Sequence, residues 1–269
     1  MPTLYIVATP IGNMEDISLR ALRILSQVSL IAAEDTRKTR RLLAAYGIKT
    51  KLTSYHEHNT KTKLPYLLQR LQAQDVALVS EAGMPGISDP GYELVVAAIE
   101  QGIPIVPIPG ASVLVTALAA SGLPSNQFVY LGFLPRRKGQ RERLLKQIAK
   151  EGRTILAFEA PHRLLSTLED VLAVLGDRRL ALCRELTKIH EEVFRGTVSQ
   201  AIAHFAEPRG EFTLVIEGKG QKRRPAEDFE DELRRLYQRG FSAKEAISQV
   251  TKATGASKKE LYQLWLQLG

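Results

Sequence analysis

Apolar and polar positions alternate along the first half of the chain with two different periods. Short continuous apolar runs predict buried β-strands at residues 4–8, 30–33, 77–80 and 103–108, with a further strand near 52–55. Between these runs, apolar residues recur every three or four positions, which predicts helices: one capped by Ser18, one from about Thr36 to Gly47, and one from Gly91 to Gly102. Strands that alternate with helices in this way are typical of βαβ units and a parallel sheet.

The second half of the chain is richer in strands. Apolar runs predict strands at 128–133, 154–158, 180–183, 192–195 and 212–216, and helices at about 140–150 and 163–175. Glycine, proline, serine and asparagine cluster at 122–125, between two apolar elements, so we place a domain boundary there. The pattern predicts an α/β protein with one α/β domain at 1–122 and a second at 123–219.

The pattern changes after Gly218. A polar, basic stretch at 221–225 predicts a linker, and helical periodicity then covers 229–239, 243–253 and 258–268. Ser242 with Glu245, and Ser257 with Glu260, fit the capping box in which serine and glutamate satisfy free amides at a helix start. We therefore predict a C-terminal helical extension at 220–269 that resembles a helix-turn-helix unit, either an RNA-binding arm or a packing and dimerisation appendage.

Charge narrows the classes of partner. Lysine and arginine number 37 against 29 acidic residues, and the formal charge of +8 favours a polyanion over a neutral partner, although a solvated basic surface is the simpler alternative. The positive charge is clustered, and this favours a nucleic acid as the partner. Clustered lysine and arginine side chains can form a phosphate footprint, which is a surface that contacts the phosphates of a nucleic acid. The clustered residues are Arg136, Arg137, Lys138, Arg141, Arg143 and Lys146, within eleven positions, together with Arg37, Lys38, Arg40 and Arg41.

Other classes are disfavoured by composition. The single cysteine, Cys183, excludes an intrachain disulfide and a multi-cysteine metal site, and its apolar neighbours predict a buried thiol. The uncharged stretch 102–135 is interrupted by prolines, so we expect no membrane-spanning helix and no membrane partner. The apolar run at 4–8 is too short for a signal peptide, and we expect a cytoplasmic protein.

Three loops follow predicted strands of the first domain, where ligands bind in open α/β sheets. They are 9–13, the glycine- and proline-rich 80–91, and 109–112. Glycine allows close approach of backbone to a ligand, and proline holds a loop rigid. No G-x-G-x-x-G motif or P-loop lysine is present, so the pattern indicates neither a dinucleotide nor a nucleoside triphosphate. Ser112 either caps the helix that follows it or presents its hydroxyl to the ligand.

Together these loops resemble the tetrapyrrole methylase superfamily, whose members hold S-adenosylmethionine between two α/β domains. Segments 4–13, 33–37, 55–59, 80–91, 161–163 and 184–188 look like the ribosomal RNA small subunit methyltransferase I branch of that superfamily, and the likeness covers nearly the whole chain. It implies methylation of the ribose 2′-oxygen of a cytidine in the decoding region of 16S rRNA in the assembled small subunit. It also implies a homodimer, with no DNA partner.

The resemblance also implies a set of cofactor positions. Two residues depart from the family pattern, since Glu81 stands where relatives often carry aspartate and Met84 where they often carry threonine. The first change keeps the charge but lengthens its reach, the second removes a hydroxyl, and both leave the backbone groups of the loop in place. The implied cofactor positions are Pro10, Ile11, Gly83, Met84, Ile87, Ala111, Ser112, Phe158, Leu186 and Leu214.

The candidates for the chemistry itself lie on two further loops. His56 and His58 alternate after the predicted strand near 52–55, so in an extended segment they share a face, and Glu34, Asp35 and Arg37 follow a neighbouring strand. We expect these loops to bind and orient the target ribose. Which group would act as a general base is left open, and no metal site is expected, because two histidines without a third ligand bind metal poorly.

Two other functions remain as alternatives. A small-molecule methylase of the tetrapyrrole type would need neither a basic cluster nor an appended helical unit. A non-catalytic RNA-binding protein that acts in ribosome assembly would not need intact glycine-rich loops, and the loops are intact in this sequence.

Overall fold

The computed structural model describes residues 1–220, 226–254 and 256–268. Its first half forms a parallel sheet of five strands in the order β3-β2-β4-β1-β5. The predicted strands are confirmed to within two residues at each end. Their bounds are Leu4–Val7 (β1), Leu30–Ala33 (β2), Leu52–Ser54 (β3), Val76–Val79 (β4) and Ile105–Ile108 (β5).

Five helices connect and cover these strands. Four of them match predicted helices, and the Ser18 hydroxyl caps the first by accepting a hydrogen bond from the Ala21 N–H at 3.1 Å. The third was not predicted, because its first turn is polar and it contains Pro65, a residue that usually ends a helix. The helices are Leu19–Gln27 (α1), Thr36–Ala45 (α2), Thr60–Leu71 (α3), Tyr92–Glu100 (α4) and Val113–Ser121 (α5).

The prediction that β5 is fully buried is wrong. β5 pairs only with β1 and therefore forms an edge of the sheet, where Ile105 and Val106 are half-buried and Pro107 is exposed. Proline has no N–H to donate, and the edge of a sheet is the position that tolerates it.

The second half forms a mixed sheet of five strands in the order β6-β7-β10-β8-β9, in which only β6 and β7 are parallel. All five strands were predicted. Helix α8 was not, although Thr197 and Gln200 form a capping box at its start. The strands are Phe128–Phe133 (β6), Thr154–Glu159 (β7), Arg179–Arg184 (β8), Glu192–Thr197 (β9) and Phe212–Ile216 (β10), and the helices are Lys138–Gln147 (α6), Leu164–Leu175 (α7) and Val198–His204 (α8).

Both sheets belong to one compact unit, Met1–Gly218. Helix α5, which precedes the predicted boundary at 122, packs against β8 and β10 of the second sheet. Leu118 and Leu123 share a buried cluster with Leu156 and Cys183, so the two halves have part of their core in common. Burial raises the pKa of the Cys183 thiol to about 11, which agrees with the predicted buried cysteine.

The second compact unit is Lys219–Gly269, with helices Ala226–Gln238 (α9), Ala243–Thr254 (α10) and Lys258–Leu266 (α11) around an apolar core of its own. The Ser242–Glu245 capping box is confirmed, with the Ser242 N–H donating to Glu245 Oε2 at 3.1 Å. Ser257 precedes α11, but its side chain accepts no capping bond. The predicted linker at 221–225 and the Glu260 side chain lie outside the described part of the chain. No helix in the described residues has the length and apolar character needed to cross a membrane.

Candidate functional site

A cleft separates the carboxyl ends of the first sheet from the second sheet. It has a volume of about 360 Å³, within the range of roughly 300 to 1,000 Å³ typical of small-molecule sites. The loops after β1, β2, β4 and β5 form one wall, and the ends of β6, β7, β8 and β10 form the other. Its apolar lining includes Ile11, Met84, Ile87, Val113, Leu114, Phe133, Phe158 and Leu186.

The loops after β1 and β4 are joined at the edge of this cleft. The Thr9 N–H donates to the Gly83 carbonyl at 2.9 Å, and the Gly83 N–H donates to the Thr9 carbonyl at 3.0 Å. Gly83 adopts a φ of +79°, a conformation that favours glycine. A Cβ at this position would lie 3.5 Å from Ile11 Cγ2, so the backbone runs directly along the cleft wall.

The glycine-rich loop also reaches the opposite wall. Ser88, which has a positive φ of +66°, forms a hydrogen bond with the Tyr130 hydroxyl on β6. The Phe158 ring lies between those of Tyr130 and Phe133, with centroid distances of 5.3 Å to each. This aromatic group forms the apolar wall of the second sheet beside the loop.

Acidic side chains line both walls, and most of them have cationic partners. Glu159 is fully buried and pairs with Arg163, and its second oxygen accepts a hydrogen bond from the Thr167 hydroxyl at 2.7 Å. Lys188 Nζ lies 3.0 Å from Glu185 and 2.9 Å from Glu211.

The acidic groups of the first wall are arranged differently. Glu81 pairs with Lys38 of α2, and Glu34 Oε2 accepts the Glu81 N–H at 2.9 Å. Asp89 forms no ion pair with any described lysine, arginine or histidine.

The Asp89 carboxyl has an unusual pKa. Burial raises this pKa from 3.8 to about 7, and the nearby charges of Glu34 and Glu81 act in the same direction, while the Ser80 hydroxyl opposes them. A carboxyl group with a strongly raised pKa in a cleft is a common feature of catalytic sites.

The structure brings together seven of the ten predicted cofactor positions. Ile11, Gly83, Met84, Ile87, Ser112, Phe158 and Leu186 line the cleft. Pro10 and Ala111 do not line the cleft, although each adjoins a residue that does, Ile11 and Ser112 respectively. Leu214 is fully buried in the core beneath α7, because side chains alternate along β10 and those of its neighbours Thr213 and Val215 face the other way. As cofactor contacts, all ten remain predictions.

The predicted catalytic residues are more dispersed. Glu34 lines the cleft, but the Asp35 carboxylate caps α2 by accepting the N–H groups of Arg37 at 2.8 Å and Lys38 at 3.2 Å, and these bonds lower the pKa of Asp35. The Arg37 side chain is 86% exposed. His56 and His58, whose ring centroids are 6.1 Å apart, follow edge strand β3 and do not line the cleft.

Several cleft residues were not predicted. Ser88 and Asp89 lie within the predicted 80–91 loop, so the sequence identified their location and missed their chemistry. Glu159, Glu185, Glu211 and Thr213 lie at the ends of strands in the second sheet. The rule that ligands bind at the carboxyl ends of strands describes parallel sheets, and the second sheet is mostly antiparallel, so the rule did not point to these residues.

One residue of the predicted basic cluster has another role. Arg141 is 3% exposed, and its Nε donates to Asp170 Oδ2 at 2.7 Å, so its inclusion in the phosphate footprint is wrong. This pairing could not be predicted from local sequence patterns, because Asp170 is 29 positions away. Its neighbours Arg136, Arg137, Lys138, Arg143 and Lys146 are exposed, as are Arg37, Lys38, Arg40 and Arg41 of α2.

The two sheets and the cleft between them are features that this chain shares with the tetrapyrrole methylase class of proteins. The family model for tetrapyrrole (corrin/porphyrin) methylases matches residues 3–202. The same fold occurs in diphthine synthase, with a TM-score of 0.62 and 15% identity over 80% of this chain and 90% of that one. It also occurs in uroporphyrin-III C-methyltransferase from Thermus thermophilus, with a TM-score of 0.58 and 19% identity over 80% of this chain and 97% of that one.

Full-length relatives identify the branch. Proteins named ribosomal RNA small subunit methyltransferase I are 50% identical in Synechocystis sp. (100% of this chain, 99% of the relative), 49% in Halalkalibacterium halodurans (98% and 95%) and 46% in Escherichia coli O157:H7 (98% and 94%). The RsmI C-terminal HTH domain model matches residues 224–269. The chain belongs to the ribosomal RNA small subunit methyltransferase I family of tetrapyrrole methylases. The predicted fold and family are thereby confirmed, and the chain is a methyltransferase.

Proposed function

We propose that this protein transfers the methyl group of S-adenosylmethionine to the ribose 2′-oxygen of a cytidine in the decoding region of 16S rRNA, acting on the assembled small ribosomal subunit. The observation that carries this proposal is the cleft between the two sheets, which combines apolar walls, an acidic edge and an adjacent basic helix. Relatives that match this chain over nearly its whole length are named for ribosomal RNA of the small subunit.

The cleft fits S-adenosylmethionine in size and chemistry. Apolar side chains such as Phe158 and Leu186 suit the adenine ring, and the glycine backbone at Gly83 allows close approach. The carboxylates of Glu34, Glu81 and Asp89 complement a cofactor whose sulfonium and ammonium groups are cationic. The Thermus thermophilus relative in fold was solved in complex with S-adenosylhomocysteine, the product of methyl donation.

Ten residues would hold the cofactor, as the family resemblance implies. Of these, the seven in the cleft wall would contact it directly. Pro10, Ala111 and Leu214 would act from behind the wall or through their backbone groups. When bound, the cofactor supplies a strongly activated methyl group, so this chain needs mainly to orient the ribose and accept a proton.

Exposed positive charge lies close to this wall. Helix α2 begins two residues after Glu34, and it carries Arg37, Arg40 and Arg41 on its surface. Such groups bind phosphates and position an RNA without reading its sequence. Together with His56 and His58 on the neighbouring loop, these residues would place the target ribose, while the C-terminal helices of 220–269 would bind the subunit.

Three further expectations belong to the same proposal. The protein would act in the cytoplasm, where ribosomal subunits are assembled, and it would work as a homodimer, as the family resemblance implies. Residues 1–122 and 123–219 would be its two α/β domains.

A methyl-transfer assay tests the proposal. The protein is incubated with S-adenosylmethionine labelled in the methyl group and with under-methylated 30S subunits, naked 16S rRNA or a porphyrin precursor. RNA from labelled subunits is digested to nucleosides, and label in 2′-O-methylcytidine is the expected result. Label in the porphyrin precursor alone would indicate a small-molecule methylase, and no label in any substrate would indicate a non-catalytic RNA-binding protein.

A further inference from the structure

We infer that the Phe133 ring is a stacking platform for the nucleobase of the target nucleotide, an inference that rests on the proposed function. Phe133 is the last residue of β6, and it lines the cleft although it is 60% exposed. Among the described aromatic residues of the cleft lining, Phe158 is half-buried and Phe212 is buried. Phe133 therefore presents the most open aromatic face of this set, at the rim of the cleft.

An irregularity in β6 turns this ring toward the cleft. In a regular strand, residues three positions apart face opposite sides of the sheet, so the side chains of Tyr130 and Phe133 would point apart. The pairing of β6 with β7 shifts between these two residues, and Gly132 adopts a φ of +68° there. As a result both rings contact Phe158, with centroid distances of 5.3 Å. Irregularities of this kind commonly redirect a side chain beside an active site.

The backbone that follows Phe133 is held by two arginines. Leu134 is 2% exposed, and its carbonyl accepts a hydrogen bond from Arg163 at 3.1 Å. The carbonyls of the next two residues each accept a hydrogen bond from the Arg141 guanidinium at 3.4 Å. Both arginines also pair with a buried carboxylate. The ring therefore stands on a segment with little freedom, and a group held in this way loses little entropy when it binds a ligand.

The residues next to Phe133 favour an RNA base as the group that covers the ring. One exposed aromatic residue is common on a protein surface and does not by itself indicate a ligand. Here Arg136 and Arg137 follow within four positions, and both are exposed. An aromatic ring stacks on a base, and cations beside it contact the phosphates of the same strand. An apolar partner would leave these two charges without a counterpart, whereas a nucleotide uses the ring and the charges together.

The geometry of a nucleotide also brings a base to this rim. The 2′-oxygen and the base are attached to adjacent carbons of the ribose, so a ribose whose 2′-oxygen enters the cleft carries its own base to the edge. Proteins that recognise one site in an RNA commonly bind unpaired nucleotides, whose bases splay out and stack on aromatic side chains. Phe133 would supply that stacking surface and so fix the orientation of the ribose.

The first test is methylation of under-methylated 30S subunits at saturating cofactor by the wild-type protein and the Phe133→Ala variant. We expect kcat/KM for the subunit to fall by about 5- to 150-fold, the range measured when a base loses its aromatic platform. Cofactor affinity measured by calorimetry should change less than about threefold. Phe128→Ala is the matched control, because Phe128 is a 42% exposed residue of the same strand that does not line the cleft.

Two further variants separate stacking from the filling of space. Phe133→Tyr keeps a flat ring and should stay within about threefold of wild type. Phe133→Leu keeps an apolar side chain without a ring face, so its kcat/KM should be at least about fivefold lower than that of Phe133→Tyr.

Photocrosslinking locates the base without relying on methyl transfer. Phe133 is replaced by the photoreactive amino acid p-benzoylphenylalanine, and the protein is irradiated in complex with 30S subunits. Primer extension on the recovered 16S rRNA should place the crosslink at the cytidine that the wild-type protein methylates. The same replacement at Phe128 should give no crosslink at that nucleotide.

The outcomes distinguish this inference from the proposed function. If the wild type methylates 30S subunits and Phe133→Ala is as active as Phe128→Ala, the platform is wrong and the proposed function stands. A cofactor affinity that falls as much as kcat/KM would assign the ring to the cofactor site, and equal activity of the leucine and tyrosine variants would show that the ring only fills space. A crosslink to a second copy of this chain would assign the ring to a subunit interface. Each of these results overturns the inference, and a wild-type protein that methylates no small-subunit RNA would overturn the proposed function with it.

Discussion

The hydroxyl groups of Ser88 and Tyr130 are hydrogen bonded to each other across the cleft. Ser88 belongs to the loop after β4 of the first sheet, and Tyr130 belongs to β6 of the second. Because Ser88 has a positive φ, which non-glycine residues rarely adopt, the surrounding contacts must hold it in place. The bond therefore fixes the segment that carries Asp89 relative to the opposite wall.

The Tyr130→Phe variant should slow methyl transfer. The aromatic ring and its packing on Phe158 are kept, and only the hydrogen bond to Ser88 is removed, which is worth about 0.5 to 1.5 kcal/mol. We expect a single-turnover rate on 30S subunits about 2- to 12-fold lower. Tyr46→Phe is the control, because it removes a hydroxyl bond to the Met14 carbonyl outside the cleft. Equal rates for Tyr130→Phe and the control would show that the bond does not position the loop.

Gly83→Val should weaken cofactor binding in a folded protein. The φ of +79° at Gly83 disfavours a β-branched side chain and would cost about 1 to 2 kcal/mol or more in backbone strain. Because Gly83 forms part of the cleft wall, this strain would distort the wall itself. We expect calorimetry to give a cofactor affinity at least about tenfold weaker. Gly47→Val is a matched control, since Gly47 has a φ of +68° with no atom within 4 Å of an added Cβ. Equal losses in both variants would indicate general destabilisation.

Arg141→Met should destabilise the protein strongly, whereas Arg143→Met should not. Removing Arg141 takes away the close partner of the buried Asp170 carboxylate and leaves only the exposed Lys138 Nζ, 3.9 Å away, a change that costs about 3 to 5 kcal/mol. Arg143 is exposed on the same helix, and its replacement should change stability by less than about 0.5 kcal/mol while weakening binding to 30S subunits. Urea denaturation measures the first effect, and a subunit-binding titration measures the second. Similar unfolding midpoints for the two variants would contradict the structural role of Arg141.

The sequence predicted the structural features that are determined by residues close together in the chain. Apolar runs, Ser18 and the 80–91 loop are local signals, and the strands, the helix cap and one wall of the cleft lie where those signals placed them. The sequence did not predict the features that are determined by contacts between residues far apart in the chain. The edge position of β5, the partner of Arg141 and the second wall of the cleft all follow from long-range pairing.

The chemistry of the cleft was harder to predict than its location. His56 and Asp35 are titratable and follow strands, but the Asp35 carboxylate caps a helix and His56 follows an edge strand away from the cleft. Asp89 was hidden in a loop noted for its glycines and prolines. Its distinguishing property is burial beside two other carboxylates, which come from positions as distant as Glu34.

A protein truncated after Gly220 should keep its fold and cofactor affinity but bind 30S subunits more weakly. The unit Met1–Gly218 has its own apolar core, and so does Lys219–Gly269, so the cut removes a separate unit. Every RNA phosphate that the shortened chain no longer binds lowers the magnitude of the salt slope of binding, by about 0.7 where the RNA is single-stranded. We expect an affinity at least about tenfold weaker with a smaller slope, measured against the full chain at several salt concentrations. The same affinity for both chains would mean that the C-terminal helices do not bind RNA.

Asp89→Asn should stabilise the folded protein, and more so as the pH rises. In the unfolded chain Asp89 ionises near its ordinary pKa of 3.8, whereas in the folded protein its pKa is about 7. Between these values the folded state binds more protons than the unfolded state, so the wild type loses stability as the pH increases from about 4 to 7. Above pH 7 the cost of the charge is fully present. The asparagine variant carries no such charge.

We therefore expect the melting temperature of Asp89→Asn, relative to wild type, to be higher at pH 8 than at pH 5. Glu100→Gln, a change at an exposed glutamate at the end of α4, should show a difference that does not vary with pH in this way. Scanning calorimetry at matched ionic strength makes the comparison, and it needs neither RNA nor cofactor. A difference that stays constant or shrinks between pH 5 and pH 8 would mean that Asp89 ionises normally, because only a raised pKa in the folded state makes its charge costly at pH 8.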